Sequence, residues 1–440
     1  MVGRLARGRA VRSGLALATV VASGLAACAP RGGAQDAGRS DGRVLPGITV
    51  LLEDSIHLVR GKRVGLISNQ TGVDELGRPD IDLLSSDERA ARAGVRLVAL
   101  YAPEHGIRGT EDREDLEGGR DEKTGVVIHS LYIGGTIGPR DSTLRDVDVL
   151  VFDLPDIGTR TWTYTGLVVY SLRAAKRNNM PLVVLDRPNP IGGELHQGAV
   201  LDSALGNTEE PRPGRPGQAY ALYPFPLRHG MTMGELARFY NAELGIGADL
   251  RVVPLKGWRR AMYQDETTLR YVRPSPNLPT VNSALVYPTL VPFESSNLSV
   301  GRGTEEAFTR FGAPWLDARR TADLLNERGL IGVRFEVERF TPRAPGDRKF
   351  DGVSVPGVRI VVTDRRRMDV GRVGAAILWA VKKTAGDSLR LTTAGFDLRF
   401  GSPRARERLL RGDDPDAVMD AELPAAVAFW NNARKYLIYR

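Results

Sequence analysis

The sequence predicts an α/β protein: a Rossmann-like, mainly parallel sheet in an N-terminal domain, a smaller α+β C-terminal domain, and an active-site cleft between them. Three observations predict it. Four short apolar runs end abruptly in polar residues, helix-like stretches separate them, and beyond residue 330 the pattern changes to alternation. Short β-branched runs suit strands buried on both faces of a parallel sheet. Strands that alternate with helices imply right-handed βαβ crossovers.

The first run, Arg63 to Ser68, leads into Asn69-Gln70. The second, Val95 to Tyr101, leads into Pro103-Glu104-His105-Gly106. The third, Asp148 to Phe152, meets Asp153, with Asp156 and Arg160 behind it. The fourth, Pro181 to Leu185, meets Asp186-Arg187-Pro188-Asn189. Between the last two, Tyr164 to Asn178 places Leu167, Tyr170, Leu172, Ala174 and Ala175 largely on one side, as a packed helix requires. Ligands of open α/β sheets bind beyond the carboxyl ends of the strands. Asn69, Glu104, His105, Asp153, Asp156, Asp186, Arg187 and Asn189 all fall there, so they are candidate site residues. The competing explanation is that Asp and Asn cap the following helices.

The second half is denser in polar motifs. Arg228-His229 precede Thr232, an expected N-cap with Glu235 at the capping-box spacing, so Glu235 reads as structural while His229 is free to face a ligand. Arg273-Pro274-Ser275-Pro276-Asn277-Leu278-Pro279 is a rigid loop, since its prolines exclude a helix interior. Phe293 to Glu306 carries Glu294, Asn297 and Arg302 among Gly and Ser, a composition that suits close approach to another group. Val333-Phe335-Val337 and Val358-Ile360-Val362 alternate as strands, and Phe429-Trp430 and Tyr436 are expected to pack on the core or line a groove.

The N-terminus reads as an address label. Arg4, Arg7, Arg9 and Arg12 precede an apolar stretch from Ser13 to Leu25, too short to span a bilayer core of ~30 Å. Leu25-Ala26-Ala27-Cys28 resembles the lipobox of bacterial lipoproteins, and Cys28 is the only cysteine of the chain. Residues 1–28 are therefore expected to be a lipoprotein signal and 29–46 a flexible tether, followed by a Rossmann-like domain over 47–245 and an α+β domain over 246–440. The protein is expected to be exported and held at a membrane surface by lipid on Cys28.

The 440 residues are 42% hydrophobic and 26% charged, with a formal charge of +8, a composition that excludes a disordered chain and a polytopic membrane protein. Without the four arginines of the leader, 57 basic face 53 acidic residues, interspersed rather than clustered, which is no nucleic-acid footprint. One cysteine allows no disulfide framework and no cysteine metal site. No strand is followed by G-x-G-x-x-G and no P-loop occurs, so no nucleotide cofactor is expected, and Gly134-Gly135-Thr136-Ile137-Gly138 reads as a loop.

Taken in order, Leu66 to Val73, Ala102 to Gly109, Asp121 with Thr124-Gly125, Val151 to Arg160, Leu185 to Pro190, His229 to Thr232, Pro274 to Asn277, Glu294 with Asn297, and Gly301 to Thr304 resemble the exo-β-N-acetylmuramidase family of NamZ-like peptidoglycan hydrolases. The chain departs from the family pattern at Ser295-Ser296 and at Ala199. The resemblance implies release of terminal β-linked N-acetylmuramic acid from the non-reducing end of peptidoglycan glycans, without a cofactor or metal.

On that reading, one carboxylic acid protonates the leaving oxygen, and a second carboxylate or the substrate's own acetamido group completes the chemistry. Glu104 is the expected general acid, with His105 orienting it or touching sugar. Asp153, Asp156 and Glu294 compete for the second role. Arg108, Arg160, Arg187 and Arg302 are candidates for the lactyl carboxylate, which a guanidinium matches with two hydrogen bonds. Asn69, Asp156, Asp186, Asn189, His229, Asn277 and Asn297 complete the expected sugar contacts. Two other classes compete: a metallohydrolase with Glu104, His105, Asp153 and Asp186 as ligands, and a non-catalytic sugar-binding lipoprotein.

Overall fold

The structure is a computed structural model that describes residues 43–103, 106–108, 118–133, 135–211 and 217–440. In chain order the strands are β1 (Arg63–Ser68), β2 (Arg96–Ala102), β3 (Gly119–Arg120), β4 (Val127–Ser130), the hairpin β5 (Tyr132–Ile133) and β6 (Thr136–Ile137), β7 (Val149–Asp153), β8 (Leu182–Leu185), β9 (Gln197–Val200), β10 (Pro226–Arg228), β11 (Leu250–Val253), β12 (Arg310–Gly312), β13 (Val333–Phe340) and β14 (Val355–Val362). The four apolar runs are thus β1, β2, β7 and β8.

The main sheet has the order β11-β8-β7-β1-β2-β4-β3, and only the short edge strand β3 is antiparallel to its neighbour. Each strand alternates between two cores. Val149 and Val151 of β7 face one layer, with Ile48, Leu51 and Leu84 of flanking helices. Leu150 and Phe152 face the other, against helix Tyr164–Arg177 and helix Met233–Glu243. Burying each such side chain contributes about 1.5–3 kcal/mol, so a one-residue slip that exchanged the faces would be strongly disfavoured.

The sheet runs past the boundary expected at residue 245, because β11 pairs in parallel with β8. Beyond it, β12, β14 and β13 form the antiparallel sheet that the alternation predicts, packed by helices Ala318–Glu327 and Val370–Ala385. One apolar core runs from helix Tyr164–Arg177 into helix Val370–Ala385, and Phe429 joins it. Residues 42–440 accordingly form one compact unit.

Strand order decides where a ligand fits. From β1 the chain builds outward through β2 and β4 on one side, then returns to place β7, β8 and β11 on the other. The connections after β1 and β7 therefore diverge and open a crevice between them at the carboxyl edge. Among the described residues, no helix is long and apolar enough to cross a membrane.

Candidate active site at the switch point of the sheet

Two adjoining cavities occupy that edge. A larger one of about 960 Å³ is lined by Asn69, Gln70 and Val73 after β1, Ile107 and Arg108 after β2, and the loop from Arg270 to Pro279. A smaller one of about 50 Å³ lies against Thr71, Val73, Asp156, Ile157, Arg187 and Pro188. Val73, Arg270, Tyr271 and Val272 border both. The Pro-rich loop is thus the far wall of the crevice, and it closes on the sheet through Gln70 Nε2, which donates to the Arg273 carbonyl over 3.0 Å.

At the floor, Asp153 is fully buried and takes both arms of the Arg187 guanidinium, through Nε and through Nη2 at 2.8 Å. Arg187 also lies 3.6 Å from Asp80, a buried carboxyl at the start of helix Asp80–Ser86. Burial, and then the adjacent Asp153 charge, push Asp80 well above the usual carboxylate range. Burial alone would lower Arg187, but Asp153 and Asp80 reverse that and hold it charged. Asp80 carried no motif in the sequence. Only the fold brings it to Arg187, in a space kept by Gly72, where a Cβ would fall 2.0 Å from Ser68 Oγ.

Asp156 is assembled differently. Its Oδ1 accepts the Gly158 N–H at 2.5 Å and faces His229 Nε2 at 3.2 Å, without the alignment of a strong hydrogen bond. His229 Nδ1 accepts the Met231 N–H at 3.2 Å, which leaves the imidazole proton on Nε2, toward Asp156. Gly158 has φ +84°, and a Cβ there would meet Ile191 and Asn189 at 2.5 and 2.6 Å, so this turn requires glycine. The His229 N–H bonds the Gly158 carbonyl at 3.2 Å, which fixes the end of β10 against the Asp156 loop. The other oxygen, Asp156 Oδ2, is buried and has no hydrogen-bond partner among the described residues.

The remaining candidates divide by what holds them. Asn69 is buried and donates to Tyr164 Oη at 2.8 Å while accepting from Thr71, so it shapes the cavity edge. Asn189 donates to the Met231 carbonyl at 3.0 Å and accepts from Ile191. Asp186 accepts from Arg187 N, Gly234 N, Thr232 Oγ1 and Tyr439 Oη, beneath the crevice rather than in it. Glu235 forms the expected capping box with Thr232 and also receives Arg260.

All four candidate arginines serve partners within the chain, Arg187 as described above. Arg108 forms a forked pair with Asp121 at the outer rim. Arg160 is buried, held below its usual range at about 9 by that burial, and donates to the carbonyls of Leu398, Arg399 and Phe400 at a helix end. Arg302 pairs with Glu294 at 2.5 Å, and Arg399 lies 3.6 Å away on the same carboxylate. Asn297 bridges to Ser388 and Arg390, a structural tie. Asn277 sits in the Pro-rich loop, its N–H on Ser275 Oγ at 3.3 Å. Glu104, His105 and Cys28 lie outside the described residues.

Sequence reasoning missed Arg270, which borders both cavities and has no ion pair or hydrogen bond among the described residues. It sits in an aperiodic loop that no motif singles out. Of the proposed metal ligands, Asp153 is taken by Arg187 and Asp186 by four donors. Among the described residues no three His, Cys, Asp or Glu side chains gather as a metal site would require.

The family comparison agrees with this architecture. The model described as exo-beta-N-acetylmuramidase NamZ, N-terminal, matches residues 64–282, and its C-terminal counterpart matches 285–439. The chain belongs to the exo-β-N-acetylmuramidase NamZ family. The peptidoglycan beta-N-acetylmuramidase NamZ of Bacillus subtilis (strain 168) is 38% identical over 399 residues, covering 90% of this chain and 92% of that protein. Two crystal structures of DUF1343 family proteins from Bacteroides fragilis share the fold. One has a TM-score of 0.79 at 33% identity, the other 0.67 at 26%, and each match covers 90% of this chain and 99% of the other. The NamZ-family boundary near residue 283 falls inside helix Val281–Leu290, after the Pro-rich wall, so the N-terminal family segment contains both cavities' lining residues.

Proposed function

We propose that the protein is an exo-acting glycosidase that releases terminal, non-reducing β-linked N-acetylmuramic acid from peptidoglycan fragments. The observation that carries it is the family match across both halves of the chain, coupled to a sugar-sized cavity at the switch point of the sheet. Glu104, two positions after the last residue of β2 in the sequence, is the general acid, and His105 supports it. Arg270 takes the lactyl carboxylate: it borders both cavities and has no ion pair among the described residues, whereas Arg108 and Arg187 are committed to Asp121 and Asp153. The chain is exported and anchored by lipid on Cys28.

The test is hydrolysis of a chromogenic β-N-acetylmuramide beside the matching N-acetylglucosaminide. Release from the first alone supports the reading, and release from the second alone overturns it. Arg270→Ala is expected to raise KM for the muramide by roughly tenfold, about 1.4 kcal/mol, with kcat little changed. Cys28→Ser should move the protein from the membrane to the soluble fraction, and an unchanged distribution would refute the anchor.

A further inference from the structure

We infer that the 50 Å³ cavity beside Asp156 is the subsite for the sugar's 2-acetamido group, with Asp156 Oδ2 accepting the amide N–H. The inference rests on the muramidase reading above and deepens it by naming the second carboxylate. Three side chains compete for that role, and their surroundings separate them. Asp153 is saturated by the Arg187 fork. Glu294 is held by Arg302, with Arg399 beside it. Asp156 alone of the three has one oxygen fixed and the other buried without a partner among the described residues.

A buried acceptor left unpaired is costly, so its place beside a cavity points to a donor that arrives with the ligand. The cavity walls select the donor. Val73, Ile157, Pro188, Pro190 and Leu269 are apolar. It is by far the smaller of the two cavities, about 50 Å³ against 960 Å³, so the acetyl group is the part of the sugar assigned to it. An N-acetyl group supplies an N–H and a methyl at that spacing. The ring and its aglycone then lie in the adjoining 960 Å³ cavity.

This placement directs the acetamido carbonyl oxygen at C1. That oxygen forms a bond to C1 as the C1–O bond to the leaving sugar breaks, and the leaving oxygen takes the proton of the general acid. Asp156 retains the amide proton in its hydrogen bond and offsets the positive charge of the resulting oxazolinium. Water then adds at C1, the ring C–O bond opens to restore the acetamide, and the water's proton returns to the acid. The Gly158 N–H holds Oδ1, with the His229 ring 3.2 Å from the same oxygen.

The experiment measures parent, Asp156→Asn and Asp156→Ala on chromogenic β-muramides bearing N-acetyl or N-trifluoroacetyl groups, with the first anomer released followed by NMR. Expected are a drop in kcat on the order of 100-fold in both variants at an unchanged thermal midpoint, and retention of the β anomer. The parent should also be slowed by roughly tenfold or more on the less basic trifluoroacetamide, a readout that needs no variant to fold. An active parent with Asp156→Asn within about threefold of it, or with the α anomer released first, overturns the subsite alone. A parent inactive on the acetylmuramide overturns the muramidase reading and the subsite with it.

Discussion

Asp156 and Asp186 follow neighbouring strands of one sheet and are both buried, yet they are built for opposite ends. Asp186 is surrounded: two backbone N–H groups, a threonine hydroxyl and the hydroxyl of Tyr439 use both of its oxygens. The chain's last residues complete this knot, with Tyr439 also receiving the Leu255 N–H and Ile438 donating to Glu235. Asp156, which lines a cavity, has one oxygen positioned and the other buried without a partner among the described residues. The difference teaches that burial and strand-end position do not mark a functional carboxylate. What sets Asp156 apart from Asp186 is an unpartnered oxygen together with a place on a cavity wall.

The comparison is broken most sharply by deleting the satisfied carboxylate. Asp186→Ala strands four donors, two of them at the start of helix Met233–Glu243, and is expected to destabilise the fold by about 3–5 kcal/mol. Urea unfolding measures this, and Asp156→Asn, by contrast, should leave the midpoint nearly unchanged. A loss below about 1 kcal/mol for Asp186→Ala would show that the knot is not what holds these segments.

Next in size is the pH dependence. Burial raises Asp186 from 3.8 to about 6, against the pull of the Tyr439, Gly234 and Thr232 hydrogen bonds. The folded state therefore binds this proton more tightly than the unfolded chain. The resulting stability is fully present below about 3.8 and is lost as pH rises through about 6, a change on the order of 3 kcal/mol. Buried Asp80 contributes with the same sign. Unfolding of Asp186→Asn between pH 4 and 7 should show a flatter profile than the parent, and an unaltered slope would assign the dependence elsewhere.

The smallest effect is Tyr439→Phe, which removes one donor to Asp186 and the acceptor of Leu255 N while keeping the ring against Trp258. It is expected to cost about 1–3 kcal/mol without altering kcat on the muramide. A parallel loss of kcat would tie the knot to the crevice.

The legible part of the fold was the part that repeats. Arg63 to Ser68 and Pro181 to Leu185 announce buried strands through composition alone, and Thr232 with Glu235 announces a helix start through spacing alone, because both signals are local. The site was legible as a set of strand ends but not as roles. Arg160 stands in the same sequence motif as Asp156, yet its guanidinium caps carbonyls of residues 398–400, some 240 positions away. No local pattern reports a partner at that distance. Asp80 and Arg270 were invisible for the complementary reason: each becomes notable only through its neighbours in space.

The sequence by itself determined the sheet class, the carboxyl edge where a ligand belongs and the family of the chain, since hydrophobic period and motif order are written in neighbouring residues. Tertiary structure decided which charges are spent and which remain available. That choice depends on hydrogen-bond saturation in a buried setting, a property of groups brought together only when β7, β8 and β10 converge.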